Sequence, residues 1–123
     1  MEKRIAVITG GTKGIGKALV DKFLSQNYKV FTCSRTNFDF DNENVLYQKA
    51  DLSNKNEVLA FADFVLSNTS KIDVLINNTG VFLPGQVHNE EEGNLELQIN
   101  TNLYSAYHLT RKLLPLMIEK KEG

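Results

Sequence analysis

Short apolar runs alternate along the chain with longer stretches in which apolar residues recur every three or four positions. The runs are rich in β-branched residues, which is typical of buried parallel strands, and they predict strands at about 4–9, 29–34, 46–50 and 73–77. The periodic stretches are typical of helices with one buried face, and they predict helices at about 15–26, from Ser53 or Asn54 onward, and at about 95–120.

The spacing of the apolar residues also predicts which face of each helix is buried. In the first helix this face comprises Ile15, Ala18, Leu19 and Phe23, and in the second it comprises Val58, Phe61, Ala62 and Val65. The last helix carries two apolar sides, one with Ile99, Leu103, Ala106, Leu113 and Met117 and the other with Tyr104, Tyr107, Leu114 and Ile118.

Residues with special backbone preferences mark the ends and irregularities of these helices. Asn27 predicts a left-handed cap after the first helix, and Asn54 with Glu57 predicts a capping box before the second. Pro115 removes one backbone hydrogen bond and predicts a kink in the last helix. Between the elements, residues 36–45 and 78–94 are polar and are expected to form loops.

The alternation of strands and helices favours an α/β fold, namely a Rossmann-type doubly wound parallel sheet. Right-handed crossovers then give the strand order 3-2-1-4. A length of 123 residues suits one domain spanning 1–123. In such a sheet the ligand is expected in the crevice at the carboxyl ends of strands one and four.

Composition and charge narrow the class of protein. Hydrophobic residues make up 41% and charged residues 24%, which is ordinary for a soluble globular domain, and a net charge of −1 predicts no nucleic-acid surface. No apolar stretch is long enough to span a membrane, and none suits a signal peptide. Cys33 is expected to be a buried thiol in a cytoplasmic protein. The acidic run Glu90–Glu92 lacks metal-ligand spacing, so no metal site is expected.

The stretch Thr9-Gly10-Gly11-Thr12-Lys13-Gly14-Ile15-Gly16 joins the first predicted strand to the first helix. A glycine-rich turn before a helix N-terminus is the geometry that holds a phosphate. Two motifs fit this turn. A P-loop would use Gly11, Gly16 and Lys17, but Ala18 lacks the hydroxyl that the next position needs. A dinucleotide-binding turn would use Gly10, Gly14 and Gly16.

Further candidate residues follow the other three strands: Ser34-Arg35, Asp51-Leu52 and Asn77-Asn78-Thr79-Gly80. Together with the glycine turn, these segments resemble the short-chain dehydrogenase/reductase family over the whole chain. In that family an active-site asparagine lies nine residues before the arginine of a frequent Thr-Arg pair. In this sequence the arginine is Arg111, and the residue nine positions before it is Asn102. Thr79 departs from the family, which usually has alanine there.

The resemblance implies a role for each matching residue. The nucleotide loop, Gly10, Thr12, Lys13, Gly14, Ile15 and Gly16, is expected to bind the cofactor, with its glycines and Ile15 around the pyrophosphate. Asp51 and Leu52 are expected to border the adenine, whereas Asn77 and Gly80 line the adenosine side. Asn102 is expected to be catalytic and to hold a water in the proton relay.

The residues after strand two predict the choice of cofactor. An acidic residue there would hold the ribose diol of NAD, but this chain has Ser34-Arg35 instead, and Lys13 lies in the glycine loop. Two cations suit the 2′-phosphate of NADP, so NADP(H) is expected to be preferred over NAD(H).

The family's catalytic serine and Tyr-x-x-x-Lys are absent from these 123 residues. The sequence therefore resembles the cofactor-binding half of a reductase, ending before strand five. The implied reaction is hydride transfer between nicotinamide and a small carbonyl or alcohol substrate. The alternative is a non-catalytic dinucleotide-binding or interaction protein. A free edge at strand four and the two-sided last helix predict a homo-oligomer.

Overall fold

Four parallel strands form one sheet in the order β3-β2-β1-β4, which confirms the predicted topology. The computed structural model describes residues 2–123. The strands are β1 (Arg4–Thr9), β2 (Tyr28–Ser34), β3 (Val45–Lys49) and β4 (Val74–Ile76). The helices are α1 (Gly14–Ser25), α2 (Lys55–Asn68), α3 (Asn94–Ile99) and α4 (Ser105–Lys120), with a π-helical turn at Asn100–Tyr104 between the last two.

Helices cover both faces of the sheet, as the doubly wound fold requires. Alternate residues of β1 point to opposite faces, so Val7 joins one core and Ile8 the other. The larger core packs β1 and β2 against α2 and α4, and its fully buried side chains include Phe31, Phe61, Leu109 and Leu113. The smaller core packs the same strands against α1 through Ala6, Ile8, Val20 and Val30.

The buried face and the N-cap of α2 and the left-handed residue after α1 are confirmed, whereas the predicted capping box is wrong. The predicted face of α2 is buried, and the Asn54 side chain accepts hydrogen bonds from the backbone N–H groups of Asn56 (2.9 Å) and Glu57 (3.3 Å). In a capping box the Glu57 carboxylate would accept from the backbone N–H of Asn54. Here it accepts from the backbone N–H of Asp51 at 3.0 Å instead. Asn27 has a positive φ of 67°, as a left-handed cap requires.

The predicted apolar face of α1 is wrong at Ile15 and Ala18. Ile15 is 75% exposed and Ala18 is also exposed, whereas Gly16 and Val20 are buried. The face toward the sheet therefore follows the line from Gly16 to Val20, with Leu19 and Phe23 half-buried at its border. The reason is the close approach of Gly16 to the preceding loop, which turns Ile15 outward.

The last predicted helix is interrupted by the π-helical turn, and this changes its buried face. Leu103, predicted to face the core, is 60% exposed, and Thr101 and Ser105 are buried in its place. A π turn holds more residues per turn than an α-helix, so it shifts the apolar periodicity on its two sides. Beyond it, Leu109 and Leu113 face the core regularly. Pro115 lies inside α4, and the kink remains a prediction.

Cys33 is buried in β2, as expected, and burial raises the pKa of its thiol from 9.0 to about 12.

We expect a disulfide reagent at pH 8 to label Cys33 in the folded chain far more slowly than in denaturant, because the reactive thiolate is about a thousandfold rarer in the folded chain. The unfolded thiol ionises first, so stability should fall as the pH rises from about 9 toward 12. Equally fast labelling with and without denaturant would contradict this assignment.

Among residues 2–123, no helix is both long and apolar enough to cross a lipid bilayer.

Candidate functional site

The loop between β1 and α1 is shaped by three glycines with different constraints. Gly10 and Gly14 have positive φ values of 68° and 57°, which other residues adopt at a cost. A Cβ atom on Gly16 would overlap the carbonyl oxygen of Gly10 and lie 2.6 Å from Nδ2 of Asn78. By contrast, a Cβ on Gly14 would have no heavy atom within 4 Å. The loop is therefore tight toward the sheet and open on its outer side.

The N-terminus of α1 opens onto this outer side. Lys13 is the N-cap residue, and its side chain makes no capping hydrogen bond. The first turn of α1 contains no acidic residue. The unpaired N–H groups and the positive end of the helix dipole are thus available to an anion, as in dinucleotide-binding folds.

A buried threonine on β2 holds the loop against the sheet. The backbone N–H of Gly11 donates to Oγ1 of Thr32 at 3.1 Å, and Thr32 in turn donates to the carbonyl of Ile8 at 2.6 Å. A Cβ on Gly11 would lie only 2.7 Å from the Val20 side chain. Thr12 is half-buried and Lys13 is exposed, so the loop turns outward after Gly11.

The carboxyl ends of β1 and β4 are joined by the side chain of Thr9. Its hydroxyl oxygen accepts from the backbone N–H groups of Asn78 (2.9 Å) and Thr79 (3.0 Å), and the residue is 1% exposed. Asn78 completes the connection, since its side-chain amide donates to the carbonyl of Gly10 at 3.3 Å. The sequence motifs include Thr9 and Asn78 but assign no role to either, and they do not include Thr32, although all three residues fix the nucleotide loop.

Asn102 holds the chain that follows β4. Its Nδ2 donates to the carbonyl of Val81 at 2.7 Å, and its Oδ1 accepts from the N–H of Val81 at 2.6 Å. Gly80 lies directly beside it, because a Cβ there would be 3.4 Å from Oδ1 of Asn102. Asn77 is tied to α4, since its side-chain amide donates to the hydroxyl of Thr110 at 3.1 Å. The predicted residues Asn77, Gly80 and Asn102 therefore lie in one region.

The end of β2 forms a second polar cluster. Ser34 Oγ lies 2.6 Å from the hydroxyl of Tyr47 and 3.0 Å from the carbonyl of Thr36, while Arg35 is exposed. In the part of the chain that the structure describes, the ion pairs are Lys17–Asp21 and Lys71–Asp73. Lys13 and Arg35 have no carboxylate partner within residues 2–123, so both charges are available to a ligand.

After the end of β3, the side chain of Asp51 is accessible to a ligand, whereas the side chain of Leu52 is not. One carboxylate oxygen of Asp51 accepts from the backbone N–H (3.0 Å) and the hydroxyl (2.7 Å) of Ser53, which fixes the carboxylate at the start of the α2 loop. Leu52 is 3% exposed and packs in the larger core. Any contact of Leu52 with a ligand must therefore use its backbone.

Comparison with known proteins places this geometry in a family. Residues 4–123 match the family of short chain dehydrogenases. The 3-oxoacyl-[acyl-carrier-protein] reductase FabG of Buchnera aphidicola is 29% identical over 98% of this chain and 52% of its own length. The chain spans about half the length of the curated relatives it matches.

Two solved structures share the fold closely. A metagenomic short-chain oxidoreductase in complex with NADP is 31% identical, with a TM-score of 0.85 over 98% of this chain and 59% of that one. ElxO with NADP bound is 28% identical, with a TM-score of 0.87 over 99% and 53%. These relatives favour the dinucleotide-binding turn over the P-loop. The chain belongs to the short-chain dehydrogenase family.

Proposed function

We propose that this chain is the NADP(H)-binding part of an oxidoreductase that transfers a hydride between nicotinamide and a carbonyl or alcohol group of a small molecule. The observation that carries the proposal is the open glycine turn beneath the N-terminus of α1, with two unpaired cations, Lys13 and Arg35, on the loops that leave β1 and β2. The bound cofactor would supply the hydride, while the residues of this chain bind and orient it.

The nucleotide loop fits a pyrophosphate. The outer side of Gly14 is open, since a Cβ atom there would meet no heavy atom within 4 Å, and Gly14 is the first residue of α1, at the helix end that favours an anion. Thr12 and Lys13 border the space, and the exposed Ile15 offers an apolar surface to a bound dinucleotide. Gly10 and Gly16 keep the backbone close enough for that approach.

The adenosine end of the bound cofactor would lie over the carboxyl ends of β2, β3 and β4. Asp51 offers a carboxylate and Leu52 its backbone to the adenine, while Asn77 and Gly80 border the adenosine from the β4 side. Arg35 and Lys13 would bind the 2′-phosphate. The NADP named in two of the solved relatives supports this choice of cofactor.

We assign the active-site asparagine role to Asn102. Its side-chain amide is occupied by the backbone of Val81, so a relay water would bind its backbone carbonyl instead. That carbonyl lies in the π-helical turn, and such turns are frequent at functional sites.

Replacing Arg35 with aspartate tests the cofactor assignment. We expect the dissociation constant for NADPH to rise by a factor that corresponds to about 1–3 kcal/mol, the cost of losing a charge-assisted contact, whereas NADH binding stays the same or improves. The measurement is a fluorescence titration of the purified chain with each cofactor. Arg4→Asp is the matched control, because Arg4 is an exposed arginine at the opposite end of the sheet. Equal affinity of the unmodified chain for both cofactors would contradict the proposal.

We also propose that two or more copies of the chain associate. In residues 2–123, β4 pairs with β1 on one edge only. The outer side of the π-helical turn and α4 exposes apolar and aromatic side chains, namely Tyr104, Tyr107, Leu114 and Ile118. Light scattering should report a dimer or larger assembly, and Tyr107→Glu should weaken it by placing a charge in the contact. Val87→Glu, on an exposed loop, should leave it unchanged. A monomer at high micromolar concentration would contradict this expectation.

We propose a cytoplasmic location. Cys33 is the only cysteine in the sequence and is buried as a free thiol. Unpaired thiols are typical of reducing compartments.

A further inference from the structure

The hydroxyl of Tyr47 links β3 to the residues around Arg35. It lies 2.6 Å from Oγ of Ser34 and 3.3 Å from the backbone carbonyl of Ser34, and it donates to the carbonyl of Thr36. The contacts therefore fall on the residue before Arg35 and on the residue after it. The position of Tyr47 inside a strand does not by itself indicate a role in cofactor binding.

The hydrogen bonds leave Ser34 no proton for a ligand. Its hydroxyl has one proton, and the neighbouring acceptors are the oxygen of Tyr47 and the carbonyl of Thr36 at 3.0 Å. Whichever of the two oxygens accepts it, the Ser34 proton is used in a hydrogen bond within the protein. The guanidinium of Arg35, which is exposed, is then the donor that this strand end offers to a phosphate.

The ring of Tyr47 is itself held in place. It packs against Phe40 with ring centroids 6.0 Å apart, and Phe40 packs against Phe38 at 4.6 Å. In the sheet, Tyr47 lies opposite Thr32, the residue that binds the nucleotide loop through Gly11. Paired residues of parallel strands share a face, so Tyr47 and the nucleotide loop lie on the same side of the sheet.

We propose that Tyr47 is a positioning residue that sets the preference for NADP(H) by fixing the backbone on both sides of Arg35. This inference rests on the proposed function of Arg35. With the backbone fixed, less conformational freedom is lost when Arg35 binds the 2′-phosphate. NADH has no 2′-phosphate and gains nothing from this arrangement.

The test is Tyr47→Phe, which removes the hydroxyl and keeps the ring packing. We expect the dissociation constant for NADPH to rise about three- to tenfold, the scale of one hydrogen bond, while that for NADH changes less than about twofold. Tyr28→Phe is the matched control, because the hydroxyl of Tyr28 contacts Arg4 at 3.4 Å at the opposite end of β2. It should change neither constant.

A second variant, Ser34→Ala, removes the other partner of the same contact. Its effect and that of Tyr47→Phe should not add in the double variant, because both substitutions break one shared network. Unchanged NADPH binding in Tyr47→Phe, or an equal loss for both cofactors, overturns the role of Tyr47 and leaves the assignment of Arg35 intact. An unmodified chain without any preference for NADPH overturns both.

Discussion

Gly16→Ala is expected to abolish dinucleotide binding and to lower the free energy of unfolding by about 3 kcal/mol, the upper range for overpacking. The added methyl group would overlap the carbonyl oxygen of Gly10, which is backbone and cannot rotate away. It would also press against Nδ2 of Asn78, whose amide holds the same carbonyl. The overlap is removed only if α1 moves away from the nucleotide loop, and that movement disrupts the proposed pyrophosphate site.

Gly14→Ala provides the control for this prediction. Gly14 has a φ of 57° and no heavy atom near the new methyl group, so the cost is that of left-handed backbone alone, about 1–2 kcal/mol. Denaturant unfolding of both variants gives the comparison, because the methyl group of Gly14→Ala would itself lie in the space proposed for the pyrophosphate and so controls only for stability. A Gly16→Ala protein as stable as the Gly14→Ala protein would show that the loop and α1 are not in close contact.

Thr9→Val should destabilise the protein by about 2–5 kcal/mol, because it leaves two partly buried backbone N–H groups without an acceptor. Valine has nearly the shape of threonine, so the loss reports the hydroxyl rather than the packing. The N–H groups belong to Asn78 and Thr79, which follow β4. Cofactor affinity should fall as well, since Asn78 then no longer holds Gly10 in place.

Thr9→Ser keeps the hydroxyl and should recover most of this stability. The two variants are compared by urea unfolding monitored by circular dichroism, with NADPH titration of each folded protein. A Thr9→Val protein within about 0.5 kcal/mol of the unmodified chain would mean that water satisfies the two N–H groups and that Thr9 does not join the strands.

The features predicted correctly from the sequence depend on residues close together in the chain. The buried face of α2 follows from apolar spacing, and the left-handed residue after α1 follows from Asn27. The strand order follows from the alternation of elements and the handedness of the crossovers. Each of these signals is local or topological, and no knowledge of distant contacts is needed.

The features missed depend on partners far along the chain. Thr9, Thr32 and Tyr47 are all good strand formers, so a strand pattern accounts for them fully. Their roles come from backbone groups about 10 to 70 residues away, which no sequence spacing indicates. The exposure of Ile15 and Leu103 was missed for a similar reason, since a close glycine contact and a π turn rotate regular helical faces.

The π-helical turn at Asn100–Tyr104 limits how the gene can change in length. Loss of one codon there would restore α-helical winding and rotate one side of the helix about 100° relative to the other. Either Asn102 would then leave Val81, or Leu109 and Leu113 would leave the core. Substitutions within the turn keep this register. The number of residues in this segment is therefore constrained in addition to the identity of Asn102.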